Sequence, residues 1–242
     1  MPPKPWIEGP LELLKHGLEH LKLESAFDAR IAMISVDNAI ELMIKTYLGL
    51  PTRVTGIKRL TRRRYAEISQ SFPSLLDGFE KFAPDKIVGI ELGDIEWFHQ
   101  LRNQLYHEGN SITVEREKVE GYAAIAKILF SNLFEIDVED IPEIEPHGLI
   151  GEFFYNWASL GQELIRLRDK YAKVKKDRVR PLRTLVSQLE AEGILPASSS
   201  QQLNTLRLFR NELAHGFATP SPAVLKTNTD TVKQVVKILK EL

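Results

Sequence analysis

The chain has 242 residues, 43% apolar and 27% charged, with a formal net charge of −1. That is long enough for one large core or two small ones, and any affinity for nucleic acid must come from local patches rather than a global field. The absence of cysteine excludes disulfides, thiol catalysis and cysteine-based zinc sites and fits a reducing cytoplasm, while the absence of an 18-residue apolar run or a signal-like start predicts neither a membrane span nor a leader.

Pro2, Pro3 and Pro5 predict an extended lead-in. A first helix is predicted over Leu11–Leu23, with Leu11, Leu14, Leu18 and Leu21 on one stripe. Ser25 is the expected N-cap of a long second helix that stops near Leu48, before Gly49-Leu50-Pro51. Its apolar residues form two sets, Phe27, Ile31, Ile34 and Leu42 against Met33, Val36, Ile40 and Ile44, which predicts burial on two sides. Asp37 and Glu41 are four residues apart, and Lys45 continues the row. They form either a solvated ion-pair ladder or a carboxylate turned toward Arg102 to orient it.

Segment 53–64 holds six basic side chains, Arg53, Lys58, Arg59, Arg62, Arg63 and Arg64, and no acid. Such a run is a solvated face or a patch that tracks phosphates. A further helix is predicted over Ser71–Phe82; Pro84 then turns the chain toward a helix beginning near Asp94, and another covers Val114–Phe134. Residues Glu135–Pro146 are acidic, contain Pro142 and Pro146, and lack helical period, so they read as a linker between domains 1–134 and 147–242. The second half opens with a long helix, Leu149–Lys173, followed by a second basic run that includes Lys175, Lys176, Arg178 and Arg180. A helix over Pro181–Glu192 ends at Gly193 and Pro196. Ser198, Ser199 and Ser200 are expected to cap the next helix, and Ala223–Leu242 closes the bundle.

One polar signature occurs twice. Arg102-Asn103-Gln104-Leu105-Tyr106-His107 returns as Arg210-Asn211-Glu212-Leu213-Ala214-His215, an offset of 108 residues. Each copy lies in an apolar 3- and 4-residue pattern, so asparagine and histidine share a helical face. Gly109 and Gly216 are suited to end the two helices, placing each histidine in a last turn, where the helix dipole favours the imidazolium. Two such sets offer a proton acceptor, a proton donor and fixed positive charge, the parts that transfer at a phosphodiester requires. The structural alternatives are capping histidines, arginines paired with an acid on the long helix, asparagines plugging helix contacts, and a packing role for Tyr106. His16 and His20 are four apart but read as surface residues, and His99 and His107 are too far apart to share a metal.

RNxxxH at the end of an amphipathic helix, behind a long helix such as Ala26–Leu48, resembles the HEPN superfamily. The resemblance implies an all-α fold of two HEPN-like bundles in tandem, packed as a pseudo-dimer about the motif helices. It also implies metal-independent endoribonuclease chemistry that leaves a 2′,3′-cyclic phosphate, with no cofactor and no metal. Catalysis would rest on Arg102, Asn103, His107, Arg210, Asn211 and His215. RNA would run over Arg59, Arg62, Arg63, Arg64, Lys175, Lys176, Arg178 and Arg180. A toxin–antitoxin or anti-phage role in the cytoplasm follows from the same likeness, with an antitoxin or regulatory protein as possible partner. The pseudo-dimer would form within a monomer or between two chains. The alternative is a non-catalytic HEPN-like module that binds nucleotide, RNA or protein.

Overall fold

The computed structural model describes residues 4–23, 25–107, 114–136, 148–171, 182–214 and 220–242; for Tyr106, His107, Asp169 and residues 182–184 it describes the backbone alone. Among these residues the regular structure is all-helical. The helices are α1 (Pro5–Leu21), α2 (Ala26–Gly49), α3 (Thr52–Thr55), α4 (Arg62–Ile68), α5 (Phe72–Phe82), α6 (Leu92–His107), α7 (Arg116–Phe134), α8 (Gly148–Tyr171), α9 (Leu182–Ala191), α10 (Ala197–Ala214) and α11 (Pro222–Glu241). They fall into two compact units, Met1–Glu145 and Pro146–Leu242. The division lies at the C-terminal end of the predicted linker, most of which, like the second basic run, lies outside the described residues.

In the first unit α2 is the central helix, packed by α1, α4, α5, α6 and α7. The Ser25 hydroxyl accepts the Asp28 amide at 3.1 Å and starts it, as the sequence predicts. Met33, Val36, Ile40 and Ile44 are wholly buried. Of the opposite set, Ile31, Ile34 and Leu42 are half-buried and Phe27 is 58% exposed, while Ser35, Asp37, Ala39 and Met43 widen the buried surface so that α2 is packed from more than one side. Contact with α1 is close at Gly17: a Cβ there would lie 2.9 Å from Val36 Cγ2 and 3.2 Å from the Ala32 carbonyl. α1 begins at Pro5, earlier than expected, because proline at a first helical position gives up no bond. Pro10 inside it sacrifices one bond but is buried beside Ile7 and Leu14. At the other end of α1, the Arg116 guanidinium donates to the Leu21 and Leu23 carbonyls and pairs with Glu120 at 2.9 Å, capping one helix from the start of another.

Two short helices, α3 and α4, were not expected. The Thr61 hydroxyl accepts the Arg64 amide at 3.2 Å, so the basic run itself enters a helix.

In the second unit α8 packs on α11 and α9, while α10 contacts α9 and α11. Phe153, Trp157, Leu160, Leu164 and Leu167 of α8 meet a complementary stripe of Val232, Val235 and Leu239, all essentially buried. α10 starts at Ala197, so the three serines occupy its first turn instead of preceding it. The Pro196 carbonyl already accepts the Ser200 amide at 3.1 Å, which closes that turn one residue early.

Candidate active site around the first motif

The first motif is organised by a carboxylate. Asp37, in the middle of α2, is 0% exposed. Its Oδ1 accepts the Tyr122 hydroxyl at 2.7 Å, and its Oδ2 lies 3.0 Å from His99 Nδ1. Arg102 Nε is 3.0 Å from the same Oδ2, off the line a hydrogen bond needs, so that contact is an ion pair by proximity. A buried charge persists only when paired and hydrogen-bonded, and Asp37 meets both conditions. Tyr122 is a permanent donor: burial first, then the charge of Asp37, pushes its phenol well above the usual tyrosine range. Glu41, one turn on, instead takes the predicted ladder with Lys45 at 2.6 Å. The two carboxylates therefore divide the two readings: Asp37 orients Arg102, and Glu41 pairs along the helix surface.

The guanidinium is held on its other edges. Its Nη2 donates to Asn38 Oδ1 at 2.6 Å and its Nη1 to Asn103 Oδ1 at 3.0 Å. With a side chain 19% exposed, Arg102 is fixed on the protein side and open at its rim. His99, three residues before it on the same face of α6, stacks on Phe72 with ring centroids 3.8 Å apart and planes 12° from parallel. In the sequence His99 stands out only by being too far from His107 to share a metal. The readable signal was its spacing of three from Arg102 on an otherwise apolar helix.

The second motif repeats the local pairing. Arg210 Nη1 lies 3.5 Å from Asn211 Oδ1, repeating the arginine–asparagine contact at the limit of a hydrogen bond. Arg210 is 0% exposed, with its guanidinium carbon 5.5 Å from the centroid of Phe154. The described acids of α8, Glu152 and Glu163, pair with Lys233 and Arg166. The His107 side chain and the whole of His215 lie outside the described residues, as do Lys175, Lys176, Arg178 and Arg180.

In the first basic run, Arg59 and Arg62 are exposed, whereas Arg63 and Arg64 both bond Glu67, at 3.3 and 2.9 Å. Arg64 also edges a cleft of about 200 Å³ between α4 and α5, whose other charged walls are Glu67, Asp77 and Lys81. Tyr65 ties α4 to α2 through a 3.0 Å bond to the Lys45 carbonyl. Lys45 is eight residues from Asp37, about 12 Å along the axis, so the basic run and the Asp37 cluster are separate places on the unit.

His16 and His20 contact edge to face at 4.8 Å, and His20 bonds Asp28 at 2.8 Å. The Ser25 hydroxyl and then the His20 ring hold the Asp28 carboxyl below its usual range. Among the described residues no group of three metal-ligating side chains occurs, and no helix is long and apolar enough to cross a membrane. No family model, curated protein or solved structure matches this chain.

Proposed function

We propose that the chain is a metal-independent endoribonuclease of the HEPN type. The observation that carries this reading is Arg102, locked by a buried Asp37 and two asparagines on the helix that ends in His107. A cation fixed before substrate arrives costs no reorganisation as charge develops on a phosphorane. Arg102 would hold the scissile phosphate, with Asn103 fixing the guanidinium; Arg210, wholly buried, would hold Asn211 rather than touch substrate. His107 and His215 would share the acid and base roles. The RNA's own 2′-hydroxyl would attack phosphorus, and the exposed basic side chains of 53–64 would guide the strand. A defence or toxin role under the control of a partner protein belongs to the same proposal.

The test is cleavage of RNA by EDTA-treated protein, with a 2′,3′-cyclic phosphate product and loss of activity in both His107→Ala and His215→Ala. DNA of the same sequence should survive; its cleavage would rule out attack by a 2′-hydroxyl. The enclosure of Arg210 over Phe154 removes a second exposed cation and so favours a second reading, a non-catalytic module that binds through the first motif. RNA or nucleotide binding that persists without cleavage would decide for it.

A further inference from the structure

Resting on the nuclease reading, we propose that His99 is a third catalytic imidazole, whose Nε2 accepts the 2′-hydroxyl proton of an RNA strand seated on Arg102. Asp37 is an acceptor on both oxygens, taking the Tyr122 hydroxyl on one and facing Arg102 on the other. The ring nitrogen 3.0 Å from Oδ2 must therefore bring the proton, so Nδ1–H donates to Asp37. In the neutral ring this tautomer leaves the lone pair on Nε2. That nitrogen makes no hydrogen bond among the described residues and is not enclosed, in a side chain 14% exposed. A carboxylate behind one imidazole nitrogen with the other facing outward is the arrangement of a general base held in one tautomer. The stack on Phe72 fixes the ring plane as well.

Position completes the argument. His99 Nδ1 and Arg102 Nε lie 3.0 Å from the same carboxylate oxygen, so base and cation are neighbours. Arg102 stands between His99 and His107 along α6, whose two histidines are eight residues, about 12 Å, apart on the axis. A phosphate on Arg102 would thus lie within one turn of His99. As the 2′-oxygen bonds to phosphorus its proton passes to His99 Nε2. The bond from phosphorus to the 5′-oxygen breaks, and that oxygen takes its proton from the general acid of the nuclease reading, the base role passing to His99. The products are a 2′,3′-cyclic phosphate and a 5′-hydroxyl, and both rings re-equilibrate with water. Among the described residues the charged and titratable groups gathered with His99 on Asp37 are Tyr122 on α7 and Arg102 on its own helix, and Glu41, one turn beyond Asp37 on α2, acts on Tyr122.

The deciding variant is His99→Asn, whose side-chain amide can replace Nδ1–H toward Asp37 but has nothing at the Nε2 position. The full-length protein would be assayed on a fluorogenic RNA in EDTA across a pH series, beside His107→Ala and His215→Ala, with a thermal melt of each. A kcat at least about 100-fold lower at little-changed KM and melting temperature is expected, together with loss of the limb on which rate rises with pH. Exogenous imidazole should restore rate to folded His99→Ala, and ¹⁵N spectra of the wild type should show the Nδ1–H tautomer. A His99→Asn enzyme with wild-type kcat and pH profile overturns this inference while His107→Ala, if inactive, leaves the nuclease reading standing. Wild-type protein that cuts no RNA overturns both. If His99→Asn melts early, His99→Phe keeps the stack on Phe72 and must be equally inactive for the proposal to hold.

Discussion

Replacing Asp37 by Asn removes one charge from the centre of the first unit and changes almost no volume. Asp37 is 0% exposed and faces Tyr122 at 2.7 Å, His99 at 3.0 Å and Arg102 at 3.0 Å. Breaking a buried ion pair costs about 3–5 kcal/mol, and hydrogen bonds to a charged group contribute about 1.5–3 kcal/mol each. Two features reduce the loss. The amide oxygen of Asn can still accept from Tyr122, and Arg102, 19% exposed, can turn its freed charge toward water. The expected cost is therefore about 3 kcal/mol, or about 6–12 °C in melting temperature for a unit of this size. A Trp157→Phe background leaves Trp6 and Trp97 as fluorescence reporters of the first unit alone. In that background Asp37→Asn and Tyr122→Phe should couple by at least about 1 kcal/mol, since they share one bond. A melting temperature within a degree or two of the parent, or additive effects in the cycle, would refute the claim that an ionised Asp37 organises the site.

The remaining expectations concern packing, titration and the basic run. Gly17→Ala should cost about 1–2 kcal/mol in denaturant unfolding, because the new methyl meets Val36 and the Ala32 carbonyl at 2.9 and 3.2 Å, outweighing alanine's better helix propensity. Lys127 is 8% exposed, and burial lowers its ammonium to about 8. Between that value and the ordinary 10.5 the unfolded chain holds the extra proton, so stability should rise with pH across this window, by at most about 3 kcal/mol. Lys127→Met should abolish the rise and raise the melting temperature at pH 7; a parallel pH profile in wild type and variant would count against it. Arg59→Gln with Arg62→Gln should lower the slope of log affinity for single-stranded RNA against log salt by about 1.4. Arg63→Gln with Arg64→Gln should lower it less, because Glu67 already balances those two.

The all-helical character was legible because apolar residues recur every three or four positions, and Ser25 marked the start of α2 to the residue. Less legible were the elements that local pattern opposes or underdetermines. Pro5 argued for an extended lead-in, yet at the first helical position it gives up no bond, and Pro10 is accommodated by its burial beside Ile7 and Leu14. α3 and α4 are too short to show a period. At the site, the sequence offered Asp37 and Glu41 as equals, four residues apart on one helix. Which of them turns inward depends on where α6 and α7 dock, and the phenol that completes the cluster comes from residue 122, far along the chain. His99 and Arg102 shared a readable face, but no pattern within α6 reveals that a carboxylate lies beneath them.

The same reasoning separates the two copies of the motif. Both keep arginine beside asparagine, with the amide oxygen turned to the guanidinium. A buried carboxylate lies beside the first arginine, and an aromatic ring lies 5.5 Å from the second. A carboxylate fixes a guanidinium by its inner edge and leaves the rim open, as the partial exposure of Arg102 shows. In the second copy the guanidinium carries a ring at 5.5 Å and is enclosed completely, so its charge serves the interior of the unit. The 108-residue offset also sets Arg207 where the first copy has His99. An arginine cannot give up a proton near neutral pH, so the second copy has no counterpart of the imidazole that the first copy holds on Asp37. Recurrence of four letters in a motif thus keeps a local contact, while the side chains that set the surroundings of its arginine sit outside it, on α2, α5 and α7 in the first copy.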